Sequence, residues 1–369
     1  MKKNIKSWLI LSSCFLLLII SIIFFIQSRQ STNQDQQNIT LTDVGFDTPV
    51  TFQAQCSQED FEKYTKILKQ VFKENNKRFD QYNAYSGINN VYTINHQAGS
   101  QPVAVDDTTL DCIKLALQIH EICPKFDISY GNVMDVWHTY REEGMKLNEK
   151  GKDGKLPTDE EIQTALSHGG TDKIQINGNQ ISFTDPDTMI DLGGIAKGYT
   201  TQLAKKALNK AGLHNGFINA GGNVVLLGPK PDGSAWTIGI QDPDSQNSVV
   251  SFETDEDKTI VTSGDYQRYY TVDGKRYAHI IDPDTGYPAN NCRSVTVITS
   301  DSGKADGLST SLFCLDYEQG KALAKKEGVQ AIWIFDKDHS PNETPDLKTK
   351  KYNIYMTKKI KKKVKLVTN

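Results

Sequence analysis

Nineteen consecutive residues without a charge, Trp8 to Ile26, stand near the start of this 369-residue chain and divide it before anything else is read. A run of that length crosses the apolar core of a bilayer as a helix. Lys2, Lys3 and Lys6 precede it and a polar stretch, Gln27 to Gln37, follows. That polarity predicts residues 1–7 in the cytoplasm and everything past the run on the outer side. The run also holds Leu11-Ser12-Ser13-Cys14, a loose match to a lipoprotein acylation site. A cleaved signal keeps its apolar residues before the cleavage site, whereas most of these lie after Cys14. The expectation is therefore a single-pass anchor over 8–26 in the cell membrane, with lipid on Cys14 as the competing reading.

Residues 27–40, rich in Gln, Asn and Ser, read as a linker, 41–357 as the globular part and 358–369 as a basic tail. Six lysines between Lys358 and Lys365 suit a solvated tail, with contact to anionic lipid or wall polymer as the alternative. The globular part suits one large domain or two closely joined ones. A hydrophobic share of 37%, and 42 basic against 45 acidic residues for a net charge of −3, argue against disorder and against bulk nucleic-acid affinity. The six cysteines form no C-x-x-C pair and no zinc-ligand spacing, so they read as core thiols.

Apolar spacing at Phe61, Tyr64, Leu68, Val71 and Phe72 predicts a first amphipathic helix, and Leu110, Ile113 and Leu117 a second. Thr158-x-x-Glu161 is a capping-box pattern opening a third. Residues 173–183 alternate around Asn177-Gly178, a hairpin signal. A helix is expected from about Lys197 to Ala211, closed by Gly212. Strands follow over 217–227, 236–241, 249–252 and 294–299, with a hairpin about Asp273-Gly274 joining 269–272 to 276–281. Two helices (about 303–314 and 317–327) and an apolar strand, 329–335, complete the pass. Helices and strands neither alternate strictly nor segregate, which predicts an α+β fold with mixed or antiparallel sheets and packed helices. No internal repeat is present.

Five segments are denser in Gly, Asp, Ser, Thr and His than packing requires. In Asp191-Leu-Gly-Gly-Ile-Ala-Lys-Gly198 a glycine pair precedes a helix start, a place that favours an anion, although Gly-Gly also makes an ordinary turn. Asn219-Ala-Gly-Gly-Asn223 puts a glycine pair in a strand, open to a flat ligand or explained by a bulge. Thr262-Ser-Gly-Asp-Tyr266 offers hydroxyls to phosphate or ribose oxygens, or makes a tight turn. In His279-Ile-Ile-Asp-Pro-Asp-Thr-Gly-Tyr-Pro288 an alternating strand places His279 and Ile281 on one face, with His279 a proton acceptor or a structural residue. In Ala305-Asp-Gly-Leu-Ser-Thr-Ser311, Asp306 and Thr310 are one helical turn apart with Ser309 beside them. Such hard oxygens suit a magnesium ion that keeps other ligands, and helix capping by Asp306 is the alternative.

In this order and at these separations the five segments resemble the ApbE family of FAD:protein FMN transferases. Phe46-Asp47-Thr48, Phe79-x-x-Tyr82 and Phe126-Asp-Ile-Ser-x-Gly131 with Trp137 are similar to further family segments, and the likeness runs from about residue 42 to 357. Asn132 departs from the proline usual there. The resemblance implies an ApbE-like, T-fold-like architecture and an enzyme that cuts the pyrophosphate of FAD, joins FMN to a Thr or Ser hydroxyl of another protein and releases AMP. It implies a FAD site of Phe46, Tyr82, Lys125, Phe126, Asp127, Asp191, Lys197 and Ile281. It also implies magnesium on the Gly194 carbonyl, Asp306, Thr310 and Ser309. From its place in the fourth segment, His279 is the candidate for activating the acceptor hydroxyl or positioning the flavin phosphate, and with Asp306 it makes up the expected catalytic residues. The chain lacks the family's acceptor motif, Asp-Gly-x-Ser/Thr-Gly-Ala-Thr, so the acceptor is expected to be a separate exported protein. The competing readings are a metal-dependent FAD pyrophosphatase, a surface FAD-binding protein without chemistry, and a structural wall-associated protein.

Overall fold

The computed structural model describes residues 36–367, so the anchor expected over 8–26, and Cys14 with it, lie outside the described residues. Among the described residues no helix is long and apolar enough to cross a membrane. The chain opens with β1 (Gln36–Leu41) and β2 (Val50–Gln55), then α1 (Gln58–Phe79), α2 (Val91–Gln97), β3 (Val103–Ala104), α3 (Asp107–Ile122), α4 (Gly131–Asn148) and α5 (Asp159–Ser167). The hairpin β4 (Ile174–Asn177) and β5 (Gln180–Phe183) leads to α6 (Ala196–Lys210). The strand-rich part holds β6 (Phe217–Ala220), β7 (Asn223–Leu226), β8 (Trp236–Gln241), β9 (Ser248–Thr254), β10 (Thr259–Gly264), β11 (Tyr269–Val272) and β12 (Lys275–Ala278). After β13 (Ile281–Asp282), β14 (Tyr287–Pro288) and β15 (Ser294–Thr299) come α7 (Ser302–Cys314), α8 (Tyr317–Lys326), β16 (Gln330–Asp336), β17 (Leu347–Lys348), β18 (Tyr352–Met356) and β19 (Val364–Leu366).

A nine-stranded sheet in the order β1-β2-β6-β7-β10-β15-β16-β18-β17 is the frame, and its pairings are antiparallel. Both faces of its centre are covered. On β16, Ala331, Trp333 and Phe335 join the core beneath the helices. The alternate residues Ile332 and Ile334 join a second core shared with Trp236, Val250 and Phe252 of the three-stranded sheet β19-β9-β8. Burial on both faces is why this strand reads as an unbroken apolar run rather than an alternating one.

The chain thus forms an α+β fold of antiparallel sheets and packed helices, and most expected elements are in place. The capping box closes on Thr158 and Glu161 in both directions. Asn177 pairs with Gln180 across the expected hairpin, and Gly178 takes φ +61°. The five described cysteines are buried free thiols.

Four expectations need correction. The linker ends sooner, because Gln36 to Thr40 already pair with β2. The strand expected over 217–227 is two strands, since Gly221 and Gly222 adopt φ +57° and +94° and reverse the chain into a hairpin. The hairpin arm expected to reach Ile281 stops at Ala278, and pairing resumes only at Ile281. The basic tail is not a solvated appendage: β19 pairs with β9, and Ile360 and Val364 are buried in the second core. Its lysines mask this, because alternate positions point to solvent while the few apolar ones point inward.

Candidate functional site

One cleft of about 1010 Å³ collects all five segments. Its volume lies at the upper end of small-molecule sites. The glycine hairpin β6–β7 brings Asn219 and Asn223, α6 brings Lys197, the end of β12 brings His279, and α7 brings Asp306 and Thr310. Phe46, Tyr82, Lys125, Phe126, Asp127, Asp191 and Ile281 line the same cleft, as does Gly194.

The candidate metal corner is built by an interruption of hydrogen bonding. In an unbroken helix the Gly198 N–H would bond the carbonyl four residues back, at Gly194. It instead donates to Asp306 Oδ2 at 2.8 Å, and Asn223 Nδ2 donates to the same oxygen at 3.3 Å. Asp306 Oδ1 and the Gly194 carbonyl are left without hydrogen bonds among the described residues. A side-chain carbon at Gly194 would lie 3.6 Å from Thr310 Oγ1, which places this hydroxyl beside the same residue. Asp306 is 5% exposed, and burial raises its pKa although Lys197, the Gly198 N–H and Asn223 oppose the shift. A cation would relieve that cost. A buried carboxylate oxygen, a hydroxyl and a carbonyl released from a helix are hard donors, a set that fits magnesium.

Ser309 does not fit the expected ligand set. It is fully buried, its hydroxyl donates to the Asp306 carbonyl at 2.9 Å, and it pairs with Ser263 Oγ at 2.8 Å. Thr262 is likewise paired, with Thr296 Oγ1 at 2.8 Å. The hydroxyls of the third segment therefore tie strand to helix and strand to strand instead of reaching for a ligand.

His279 is partly buried at the cleft wall with Nδ1 unpartnered. Burial, reinforced by Lys197, Arg268 and Arg141, pushes its pKa down to about 3, so the ring is neutral at pH 7. Asp191, which also lines the cleft, accepts from Gln81 Nε2 at 2.6 Å and from the Gly193 N–H at 2.5 Å. Tyr82, 47% exposed, lies over His138 with ring centroids 4.7 Å apart, and His138 Nδ1 is 2.8 Å from Arg141 Nη2. An exposed tyrosine at the mouth of a cleft is a surface on which a flat ring can stack.

Lys125 and Asp127 border the cleft, but their charges are spent elsewhere. Lys125 Nζ sits 2.7 Å from both Asp282 and Asp284, and Asp127 accepts from the Ser129 N–H at 2.7 Å. These bonds lock the turn after His279 and the loop before α4.

Phe46 and Asp47 take φ of +60° and +47°, unusual for residues with side chains. They are held there because Phe46 N–H donates to Asn76 Oδ1 at 2.7 Å while Arg268 Nη2 donates to the Phe46 and Asp47 carbonyls at 3.0 and 3.1 Å. Sequence reading missed Arg141 and Arg268. Arg141 stands one turn after Trp137 on α4, an arginine on the buried face of a helix that was not recognised. Arg268 falls two residues past the third segment, outside the residues that drew attention.

A profile of the ApbE family matches residues 46–333. The FAD:protein FMN transferase of Vibrio cholerae is 33% identical over 262 residues, 70% of this chain and 76% of that protein. The Klebsiella pneumoniae protein of the same name is 34% identical over 253 residues, 66% of this chain and 74% of that protein. The crystal structure of the ApbE protein of Thermotoga maritima superposes with a TM-score of 0.71 at 29% identity, over 81% of this chain and 94% of that one. The flavin transferase ApbE of Vibrio cholerae gives 0.71 at 27% identity, over 89% and 99%. With its profile spanning the cleft from Phe46 on the rim to Thr310 at the candidate metal corner, the chain belongs to the ApbE family.

Proposed function

We propose that this protein transfers the FMN half of FAD to a Thr or Ser hydroxyl of a separate exported protein, in a magnesium-dependent reaction that releases AMP. The observation that carries the reading is the convergence of the five segments on one cleft, lined by a neutral His279 with an unpartnered nitrogen and by Asp306, Thr310 and Gly194 with uncommitted oxygens. The names of the relatives, FAD:protein FMN transferases, agree with it.

Displacement at phosphorus requires that charge on the phosphoryl oxygens be offset and the attacking hydroxyl be held in line. Magnesium bound by Asp306, Thr310 and the Gly194 carbonyl would supply charge neutralisation there. Lys197 adds a second positive charge from the first turn of α6. Neutral His279 takes the proton as the acceptor oxygen bonds to phosphorus, the P–O–P bridge breaks, and AMP leaves with the bridging electron pair. Tyr82 and Phe46 hold the flavin ring. The anchor expected over residues 8–26 would place the cleft on the outer side of the cell membrane, where an exported acceptor would meet it.

The test is to incubate the full chain with FAD, magnesium and a small exported protein bearing Asp-Gly-x-Thr-Gly-Ala-Thr, then read the acceptor's intact mass and AMP release. A gain of one FMN, lost with Asp306→Ala, is expected. AMP and free FMN with the acceptor unlabelled would replace the transferase with a pyrophosphatase. Bound flavin without turnover would leave a storage protein.

A further inference from the structure

At His138 the geometry fixes which nitrogen carries the proton. Its Nδ1 lies 2.8 Å from Arg141 Nη2, and a guanidinium has donors only. Nδ1 is therefore the acceptor, which leaves the ring neutral with its proton on Nε2. The two residues are three apart on α4 and so meet on one side of the helix, where Arg141 is buried. The charges acting on the ring are Arg141, Glu142 and Asp135 of the same helix and Asp191 of the loop before α6, while Arg268 acts on Arg141 in turn. Burial and Arg141 outweigh the three carboxylates and hold the imidazole below its ordinary pKa.

The ring fixed in this way lies against Tyr82, with centroids 4.7 Å and planes 31° apart. Tyr82 comes from the loop between α1 and α2, and both residues line the cleft. Its N–H donates to Asp80 Oδ1 at 2.7 Å, and its hydroxyl accepts from Gln81 Nε2 at 3.0 Å. That same nitrogen donates to Asp191 at 2.6 Å. Tyr82 is thus held at its backbone and at its hydroxyl, with His138 behind one face of the ring. The rest of a ring that is 47% exposed stays open. A side chain already held in place loses less freedom when a ligand stacks on it than one that swings in water.

We propose that His138 is a positioning residue for the ring of the ligand: Arg141 locks it as the Nε2–H tautomer, and the locked imidazole backs Tyr82 so that the phenol meets a flat ring already oriented. Naming that ring as a flavin rests on the function proposed above, whereas the relay from Arg141 through His138 to Tyr82 belongs to the ligand-free protein. A protonated His138 can no longer accept from Arg141 and is repelled by it. The backing of Tyr82 is therefore present above the His138 pKa and lost as pH falls through it, a midpoint that lies under the ordinary 6.5.

Two measurements on the full chain test the relay. Nitrogen–proton correlation spectra of the histidine rings should show His138 protonated on Nε2 alone above about pH 7, with the Tyr82 ring resonances following its titration at lower pH. Arg141→Met should raise that midpoint, because the neighbouring cation that opposes protonation is gone. Riboflavin binding, read by quenching of flavin fluorescence, should weaken through the same midpoint and move up with it in Arg141→Met. The two functions of His138 are separable by substitution. His138→Phe keeps a ring behind Tyr82, so riboflavin affinity should stay within about twofold of native and lose this pH dependence. His138→Gln keeps an acceptor for Arg141 but no ring, and riboflavin should weaken about fivefold. A proton on Nδ1 above the midpoint, a midpoint that Arg141→Met leaves unchanged, or equal losses in the two His138 variants would overturn the proposal. If the tautomer, its shift and the Tyr82 response are as described but riboflavin does not bind the native chain, the relay stands and the flavin-transfer reading fails.

Discussion

At the cleft, the charge of one side chain sets what its neighbour can do. His279 is neutral because it is buried among Lys197, Arg268 and Arg141, and at about 3 it is a poor base in the ligand-free protein. A bound anion offsets those cations and raises its basicity. In NMR titrations of the free protein the His279 ring should not protonate above about pH 5; protonation near the ordinary 6.5 would show that burial and the neighbouring cations do not act on it. The same shift acts on stability. Between the ordinary imidazole value, 6.5, and about 3, the unfolded chain takes up a proton that the folded one refuses. Stability therefore falls as pH drops through that window. His279→Gln should remove this dependence, so denaturant curves of the variant should lose less stability than the native protein between pH 6.5 and pH 4. Asp306→Asn keeps an acceptor for the Gly198 N–H but loses the charge a cation needs. Transfer should fall on the order of 100-fold or more with the melting midpoint little changed, read by acceptor mass and calorimetry.

Among the elements, the contact between α6 and α7 positions the candidate metal corner. A side-chain carbon at Gly198 would lie 2.2 Å from the Ser302 carbonyl and 2.5 Å from Asp306 Cβ, so only glycine lets the helices meet. Gly198→Ala should cost about 1–3 kcal/mol by denaturant unfolding and weaken magnesium dependence of transfer together with stability. Asn90, fully buried, caps α2 through the Thr93 N–H and donates to the Lys77 and Asn83 carbonyls, which fixes the loop carrying Gln81 and Tyr82. Asn90→Ala should destabilise by about 1–3 kcal/mol and raise the Tyr82 loop's hydrogen exchange. Helices with a clear apolar period, such as α1 and α3, were legible from sequence. α4 was not, because its buried face mixes Val133 and Trp137 with Arg141 and Gly144. The hairpin β6–β7 was misread because a glycine pair inside an apolar run signals a bulge and a reversal equally well until φ is known.

Across the whole molecule, burial on both faces of the large sheet decides which segments belong to the fold. The lysine-rich end is one of them, through β19 and the side chains of Ile360 and Val364. Deleting residues 358–369 should expose the β9 edge and that core, lowering the melting midpoint by several degrees; an unchanged midpoint would return this segment to the role of a loose tail. The wide spacing of the five segments along the chain also makes sense at this scale, since strand ends and helices distant in sequence meet at one cleft.

The sequence by itself determined the order of the main helices and strands, the fold class and the residue types that meet in the cleft, because periodicity and glycine-rich punctuation are local properties. The tertiary structure decided which of those residues are free to act. Ser309, Thr262, Lys125 and Asp127 have suitable chemistry but spend it on neighbours distant in the chain. Arg141 and Arg268, unremarkable in sequence, line the cleft without an ion pair among the described residues. Whether a polar group is satisfied depends on what the fold brings within hydrogen-bonding distance, and no local pattern encodes that.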